Sequence, residues 1–301
     1  MATPRRRTCA HVAVHELLVE TDPGYRDRRL KIHEETQRII ASGEAMRVAR
    51  RVTTVQVVVH VVYRTKQENI SDAQVRSQVA ALNRDYGLKN TDKSKVPQPF
   101  KSIVGNPNVQ FKLATRDPDG KQTNGITRTA TTVDGFSSDN GVKSAKTGGR
   151  DPWDTARYLN LWVCALGQGL LGYAQFPGGP AATDGVVLLN TAFGTRGTAA
   201  APFNKGRTAT HEVGHFLNLR HIWGDMNDCT GNDQVADTPK AEGANFGKPS
   251  FPHISCHNGP NGDMFMNYMD YVDDAAMVMF SQGQVARMNA TLAGPRKSLV
   301  S

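Results

Sequence analysis

Apolar and polar positions along this chain fall into blocks of different period, and each block predicts a different element. VTTVQVVVHVVY (52–63) is β-branched and almost continuously apolar, the pattern of a strand covered on both faces. SDAQVRSQVAALNRDYG (71–87) instead repeats Val75, Val79, Leu82 and Tyr86 at helical spacing. Ser71 and Gln74 stand at capping-box spacing at its start, and Gly87 is the expected stop. VQFKLATR (109–116) alternates like a strand and runs into the turn DPDG. YLNLWVCAL (158–166), LLGYAQF (170–176) and DGVVLLN (184–190) are further predicted strands. A loop rich in Gly and Ala follows, then a helix predicted to begin near Lys205. The last predicted helix, SQGQVARMNATLAG (281–294), again opens with Ser and Gln at capping-box spacing.

Two stretches lack this regularity. Residues 1–50 read as a charged, mostly helical arm that ends in the pair Arg50–Arg51, a bond region open to proteolysis. Residues 220–270 hold turns, prolines and two cysteines with little periodicity. The expected organisation is therefore an arm (1–50), a part built from sheet and helices (51–218) and a more irregular part (219–301). The class is α+β.

Composition narrows the function without choosing it. At 301 residues, 39% hydrophobic and 21% charged, the chain can bury a sizeable core and is neither disordered nor fibrous. No apolar run approaches the roughly 20 residues of a membrane helix. MATPRRRTCA has basic residues but no apolar segment behind them, so no secretory signal is legible. The net charge of +8 invites a nucleic-acid reading. The basic residues are scattered, however, and no nucleic-acid motif accompanies them, so a solvated basic surface is the expectation. Neither nucleic acid nor membrane is an expected partner.

The candidate chemistry lies in TATHEVGHFLNLRHIWGD (208–225), which holds three of the nine histidines. On a helix His211 and His215 share one face and can grip one metal ion, while Glu212, about 100° away, can reach a water on that ion without ligating it. The chain must turn after Leu217 for a third ligand to return. Asn218 suits that bend because Asn tolerates the left-handed conformation best among non-glycine residues. His221 can then close the set. Three nitrogen ligands leave a fourth position for water, the catalytic rather than the structural arrangement of zinc. A hydrolase acting on a non-peptide amide, and a binding module with a structural metal, are the rival readings. Cys229 and Cys256 stay open between a disulfide and a metal site shared with His253 and His257. Cys164, inside a predicted strand, is expected to be buried and inert.

HEVGHFLNLRH (211–221) resembles the extended zinc signature of the metzincin metallopeptidases, with Asn218 where glycine usually stands. HEVGHFLNLRHIWGD, NYMDY (267–271), CTGNDQVADTP (229–239) with Cys256, and LLGYAQFPGG (170–179) are similar to the pappalysin-like branch. That resemblance implies a metzincin-like fold, with a twisted mixed sheet and helices above an irregular C-terminal subdomain. It also implies a secreted zinc endopeptidase made as a zymogen and acting, as a monomer, on proteins or peptides. His211, His215 and His221 would hold the one catalytic zinc, Glu212 would be the general base and Tyr271 a second donor to the oxyanion. Met269 would be the packing floor of the Met-turn, and Cys229–Cys256 a disulfide. Asp233 and Thr238 would serve a structural calcium. Asp274 would be the base of a pocket for Arg or Lys after the cleaved bond, which would make Arg50 and Arg51 a site of self-release. Cys9 would be a cysteine switch on the zinc, although Ala10 stands where that motif carries glycine.

Overall fold

β1 (Thr53–Tyr63) is the axis of the molecule. It is a strand of the computed structural model of the chain, which describes residues 4–49 and 51–300. Its first half pairs with β3 (Val109–Leu113) and its second half with β4 (Ile126–Ala130), both in parallel. On the other side it pairs in parallel with β5 (Leu159–Cys164), which pairs with β7 (Val186–Leu189). The edge strand β6 (Gly172–Ala174) runs antiparallel to β7. A two-residue ladder of β2 (Val104–Gly105) with β8 (Phe280–Ser281) stands apart.

The unbroken apolar run of β1 follows from cover on both faces. Val55, Val57, Val59 and Val61 join the main core with α4 (Asp72–Asp85) and α5 (Arg207–Phe216), through Val75, Leu82, Ala209 and Val213. Val62 faces a second core with Trp162, Tyr173 and Val187, to which the arm adds Val14 and Leu18. The arm is helical as expected: α1 (His11–Thr21) packs on β6, while α2 (Tyr25–Ala41) and α3 (Glu44–Ala49) pack on α6 (Gln282–Ala293). Arg50 lies outside the described residues; Arg51, just before β1, is exposed.

Three local expectations change. Ser71 accepts from the Gln74 amide N–H at 3.2 Å, but the Gln74 side chain does not return the bond. Its amide donates to the Asn190 and Phe193 carbonyls and accepts from Thr198 N–H instead. Gln78 likewise bonds Gly194 and Gly206, so α4 ties down the loop that enters α5; buried loop backbone offers these amides more than the solvated helix end does. Leu88, not Gly87, takes the left-handed turn after α4, at φ +50°. The strand at Ile126–Ala130 carries polar residues on a partly exposed edge and is not legible from alternation. At the end of the chain, by contrast, Ser281 and Gln284 form the full reciprocal box.

Residues 220–270 form no helix or strand of their own among the described residues. Cys229 and Cys256 are bonded to each other there. His253 pairs with Asp263 instead, so the alternative of a metal site on these cysteines falls away.

Candidate active site

Every residue of α5 is buried, so its polar groups need partners inside the protein. Thr210 finds Asp85 at 2.8 Å, and Arg207 finds Asp92 at 2.7 Å through both terminal nitrogens. His211 and His215 face the later, irregular part of the chain, whose Tyr268 and Leu219 carbonyls they reach. Leu217 ends the helix, Asn218 takes φ +75°, and the Leu219 N–H returns to the Gly214 carbonyl at 2.9 Å. The bend anticipated at Asn218 is thus present, and it brings His221 back.

The Nε2 atoms of His211, His215 and His221 form a triangle with sides of 3.1, 3.2 and 3.3 Å. Each Nδ1 is already engaged: His211 with the Tyr268 carbonyl at 2.7 Å, His215 with the Leu219 carbonyl at 2.8 Å, His221 with the Asp225 carboxylate. Carbonyls only accept, so His211 and His215 carry their protons on Nδ1 and present Nε2 lone pairs to one another. Protonation does not relieve the clash. Burial, then the neighbouring imidazoles, hold His211 and His215 well below the usual histidine range. Such a triangle calls for a cation at its centre. A tetrahedral zinc ion with Zn–N of ~2.0–2.1 Å sets its nitrogens roughly 3.3–3.4 Å apart, so the donor set fits that metal.

Against α5 lies the turn at residues 267–270, with Met269 fully buried. A side chain at Gly214, in the middle of HEVGH, would overlap the Met269 sulfur. The glycine therefore lets the helix settle on the methionine. Asn267 accepts from Met269 N–H and exchanges two hydrogen bonds with Gln284, which locks the turn to α6. The Tyr271 ring lies 4.7 Å from that of His221 and 5.7 Å from that of His211.

Residues 143–293 match the peptidase M43 family, described as pregnancy-associated plasma protein-A. The chain is 33% identical over 244 residues to an extracellular metalloprotease of Arthroderma otae, a match that spans 78% of this chain and 76% of the relative. The chain belongs to this peptidase family. It is a metalloendopeptidase. A second extracellular metalloprotease, from Verticillium alfalfae, is 32% identical over 263 residues, 84% of this chain and 80% of its own. Among solved structures, mature mirolysin of Tannerella forsythia in complex with a cleaved peptide is similar at 52% identity and a TM-score of 0.80, over 82% of this chain and 94% of that one. A promirolysin mutant of the same organism is similar at 45% identity and a TM-score of 0.88, over 97% of both chains.

In this peptidase the arm occupies the cleft. The backbone of Thr8 and Ala10 pairs with the edge strand through Leu171 N–H at 3.0 Å and the Gly172 carbonyl at 3.1 Å, as a parallel bridge. Cys9 lies with its sulfur beside the three Nε2 atoms and donates to Glu212 Oε2 at 3.2 Å. Its carbonyl accepts from the Tyr271 hydroxyl at 3.3 Å. Burial pushes the Glu212 carboxyl up to about 8, with the Cys9 hydrogen bond and then Arg7 opposing the shift. Asp274 is buried and accepts from Arg7 at 2.7 Å on one oxygen, and on the other from the N–H groups of Lys205 and Arg207. Thr208, the Val272 carbonyl and the Phe203 ring complete the pocket around the Arg7 guanidinium. Asp233 and Thr238 converge as well, with the hydroxyl donating to the carboxylate at 2.7 Å.

Four residues of the peptidase escape a reading of the sequence: Arg7, His11, Gly214 and Asp225. Arg7 is one of three consecutive arginines and nothing local distinguishes it. His11 stacks on His215 at a centroid distance of 3.6 Å and meets Phe176 edge-on. Its position two residues after Cys9 was the available signal. Asp225, four residues past His221, was legible only as a member of the WGD tripeptide. Cys164 is buried and its thiol is pushed far up by burial, as expected of an inert core cysteine.

Proposed function

We propose that this peptidase cuts peptide bonds at a single zinc held by His211, His215 and His221, prefers Arg or Lys after the cleaved bond, and is kept latent by residues 1–50. The observation that carries the reading is the triangle of Nε2 lone pairs with Glu212 next to it, reached through Cys9. Bound there, zinc supplies Lewis acidity to a carbonyl and lowers the pKa of water towards ~7. Glu212 takes the proton of the attacking water and passes it to the departing amine. The Tyr271 hydroxyl, which in this state donates to the Cys9 carbonyl, donates to the developing oxyanion of a substrate. Met269 is a packing floor and touches no reacting atom. The edge strand β6 takes an extended peptide by backbone pairing, antiparallel where the arm pairs in parallel.

Latency has a polarity argument. If the Asp274 pocket receives the residue after the scissile bond, a substrate runs from the metal towards Asp274. The arm runs the other way, from Arg7 in the pocket to Cys9 beside the imidazoles. It therefore fills the cleft without presenting a bond in the order the site cuts. With zinc bound, Cys9 would hold the fourth position through its sulfur, its thiol proton passing to Glu212, and would so keep water out as the blocking ligand. Self-cleavage at Arg50 or Arg51 releases the arm, with the sheet part (51–218) and the irregular part (219–301) left as the two walls of the cleft.

The same reading assigns a structural calcium to the loop of Asp233 and Thr238, where burial pushes the Asp233 carboxyl up to about 6 and a hard cation would reverse that shift. It makes the enzyme a secreted monomer, supported for secretion by relatives that are named extracellular. The decisive test is Glu212→Gln. Zinc content by metal analysis stays near one per chain while turnover of a peptide drops roughly a hundredfold or more. Full turnover in that variant removes Glu212 from the reaction.

A further inference from the structure

Asp274 accounts for Arg7 but not for the residue before it. The Arg6 guanidinium lies over the Phe246 ring, 5.0 Å from its centroid, and that ring in turn packs on Tyr271 at 6.0 Å. Phe246 is 39% exposed, more than a core residue would be. It lines an open cavity of about 640 Å³ together with Trp223, Glu242, Asp263 and Tyr271. That cavity adjoins the imidazoles, because Tyr271 belongs both to its wall and to the surroundings of His211 and His221.

A single exposed aromatic is ordinary on a protein surface. Three things set this one apart: a cation already rests on its face, the exposed carboxylate of Glu242 lines the same cavity, and the catalytic tyrosine backs it. An aromatic face with nearby negative charge is a receptor for a guanidinium or ammonium group. Counted outward from the imidazoles, the arm thus places a first arginine on Asp274 and a second on Phe246. The expected release site repeats that order. A cut before Arg50 would put Arg50 in the first position after the bond and Arg51 in the second. The pair Arg28–Arg29 does not compete, since it lies within the helix α2 and cannot lie extended along an edge strand.

We propose that Phe246, with Glu242 in the same cavity, forms a second cation subsite, so that the enzyme selects two consecutive basic residues after the cleaved bond. The Arg6–Arg7 pair of the arm is then a reversed copy of the preferred substrate. This selection rests on the reading of Asp274 as the first pocket.

The test uses the self-processed protein and a set of peptides with Arg fixed after the expected cut and Arg, Ala or Glu next to it. Cleavage positions are read by mass spectrometry and kcat/KM is measured for each. The Arg-Arg peptide is cut roughly threefold to tenfold better than Arg-Ala, the range of a partly exposed cation–π contact, and Arg-Glu is the poorest. Phe246→Ala brings the Arg-Arg to Arg-Ala ratio to about one, while Phe246→Tyr, which keeps the ring face, keeps the ratio. Equal kcat/KM for Arg-Arg and Arg-Ala in the parent enzyme, or an undiminished ratio in Phe246→Ala, overturns the second subsite alone. Cuts that do not fall before Arg at all overturn the Asp274 pocket, and this proposal with it.

Discussion

Arg7 and Asp274 meet at 2.7 Å with both side chains shut away from solvent, across 267 positions of sequence. A buried pair of this kind is costly to break from one side, by about 3–5 kcal/mol, because the abandoned charge stays buried. Asp274 retains two backbone N–H donors, which puts it at the lower end of that range. Arg7→Gln should therefore loosen the arm, and the full-length chain should convert to the arm-free form at least about tenfold faster than the parent. Gel analysis of freshly purified chain measures this. An unchanged conversion rate would mean that the pair does not hold the arm.

Asp225 bonds the Nδ1 of His221 and so fixes how that ring presents its other nitrogen. Outer partners of this type contribute about tenfold to a hundredfold to metal affinity. Asp225→Asn should lower zinc affinity by such a factor in a chelator competition, with the fold intact by circular dichroism. Affinity equal to that of the parent would assign the carboxylate a different purpose.

Gly214→Ala sets two effects against each other. Helix propensity favours Ala by about 1 kcal/mol, yet the new methyl would overlap the buried Met269 sulfur, and the turn bearing it is locked to α6 through Asn267 and Gln284. Overpacking wins, so the denaturant midpoint should fall by an amount equivalent to about 1–3 kcal/mol. A companion Met269→Ala should recover part of the loss, which a double-mutant cycle would register as favourable coupling. A variant as stable as the parent would show that the sulfur moves aside without strain.

Lys143 supplies a pH dependence far from the site. It is buried, donates to the Thr183 carbonyl at 2.6 Å, and lies over the rings of Trp162 and Tyr173 at 5.5 and 5.0 Å. Burial lowers its pKa from 10.5 to about 7, against a small opposing pull from Asp184. Between about 7 and 10.5 the unfolded chain thus binds the proton that the folded chain has released, so stability rises with pH across that window, by at most about 1.4 kcal/mol per unit. Stability measured from pH 7 to 9 should climb in the parent and lose most of that slope in Lys143→Met. An identical slope in both proteins would place the titration elsewhere.

Much of the peptidase was legible before its structure. The run at 52–63 announced a doubly covered strand, because β-branched residues without alternation have no solvent face to serve. The spacing of His211 and His215 announced a shared helix face, and Asn218 announced the bend, because both depend on backbone geometry within a few residues. Ser281 and Gln284 closed their box for the same reason. Ser71 and Gln74, at identical spacing, did not. A loop 116 positions away offered Gln74 buried carbonyls to satisfy, and only packing decides which loop lies there.

The sequence by itself determined the class of chemistry, since three imidazoles and a carboxylate within eleven residues are constrained by one helical turn and one bend. It also determined where most strands of the sheet would lie, the polar edge strand β4 excepted. Tertiary structure alone decided what faces that chemistry: Arg7 rather than Arg5 or Arg6 on Asp274, Asp225 behind His221, a sulfur where Gly214 has no side chain, and Arg6 against Phe246. Periodicity is a local property of the backbone and can be read in a window of a dozen residues. Burial and charge pairing belong to surfaces that meet only after the chain has folded.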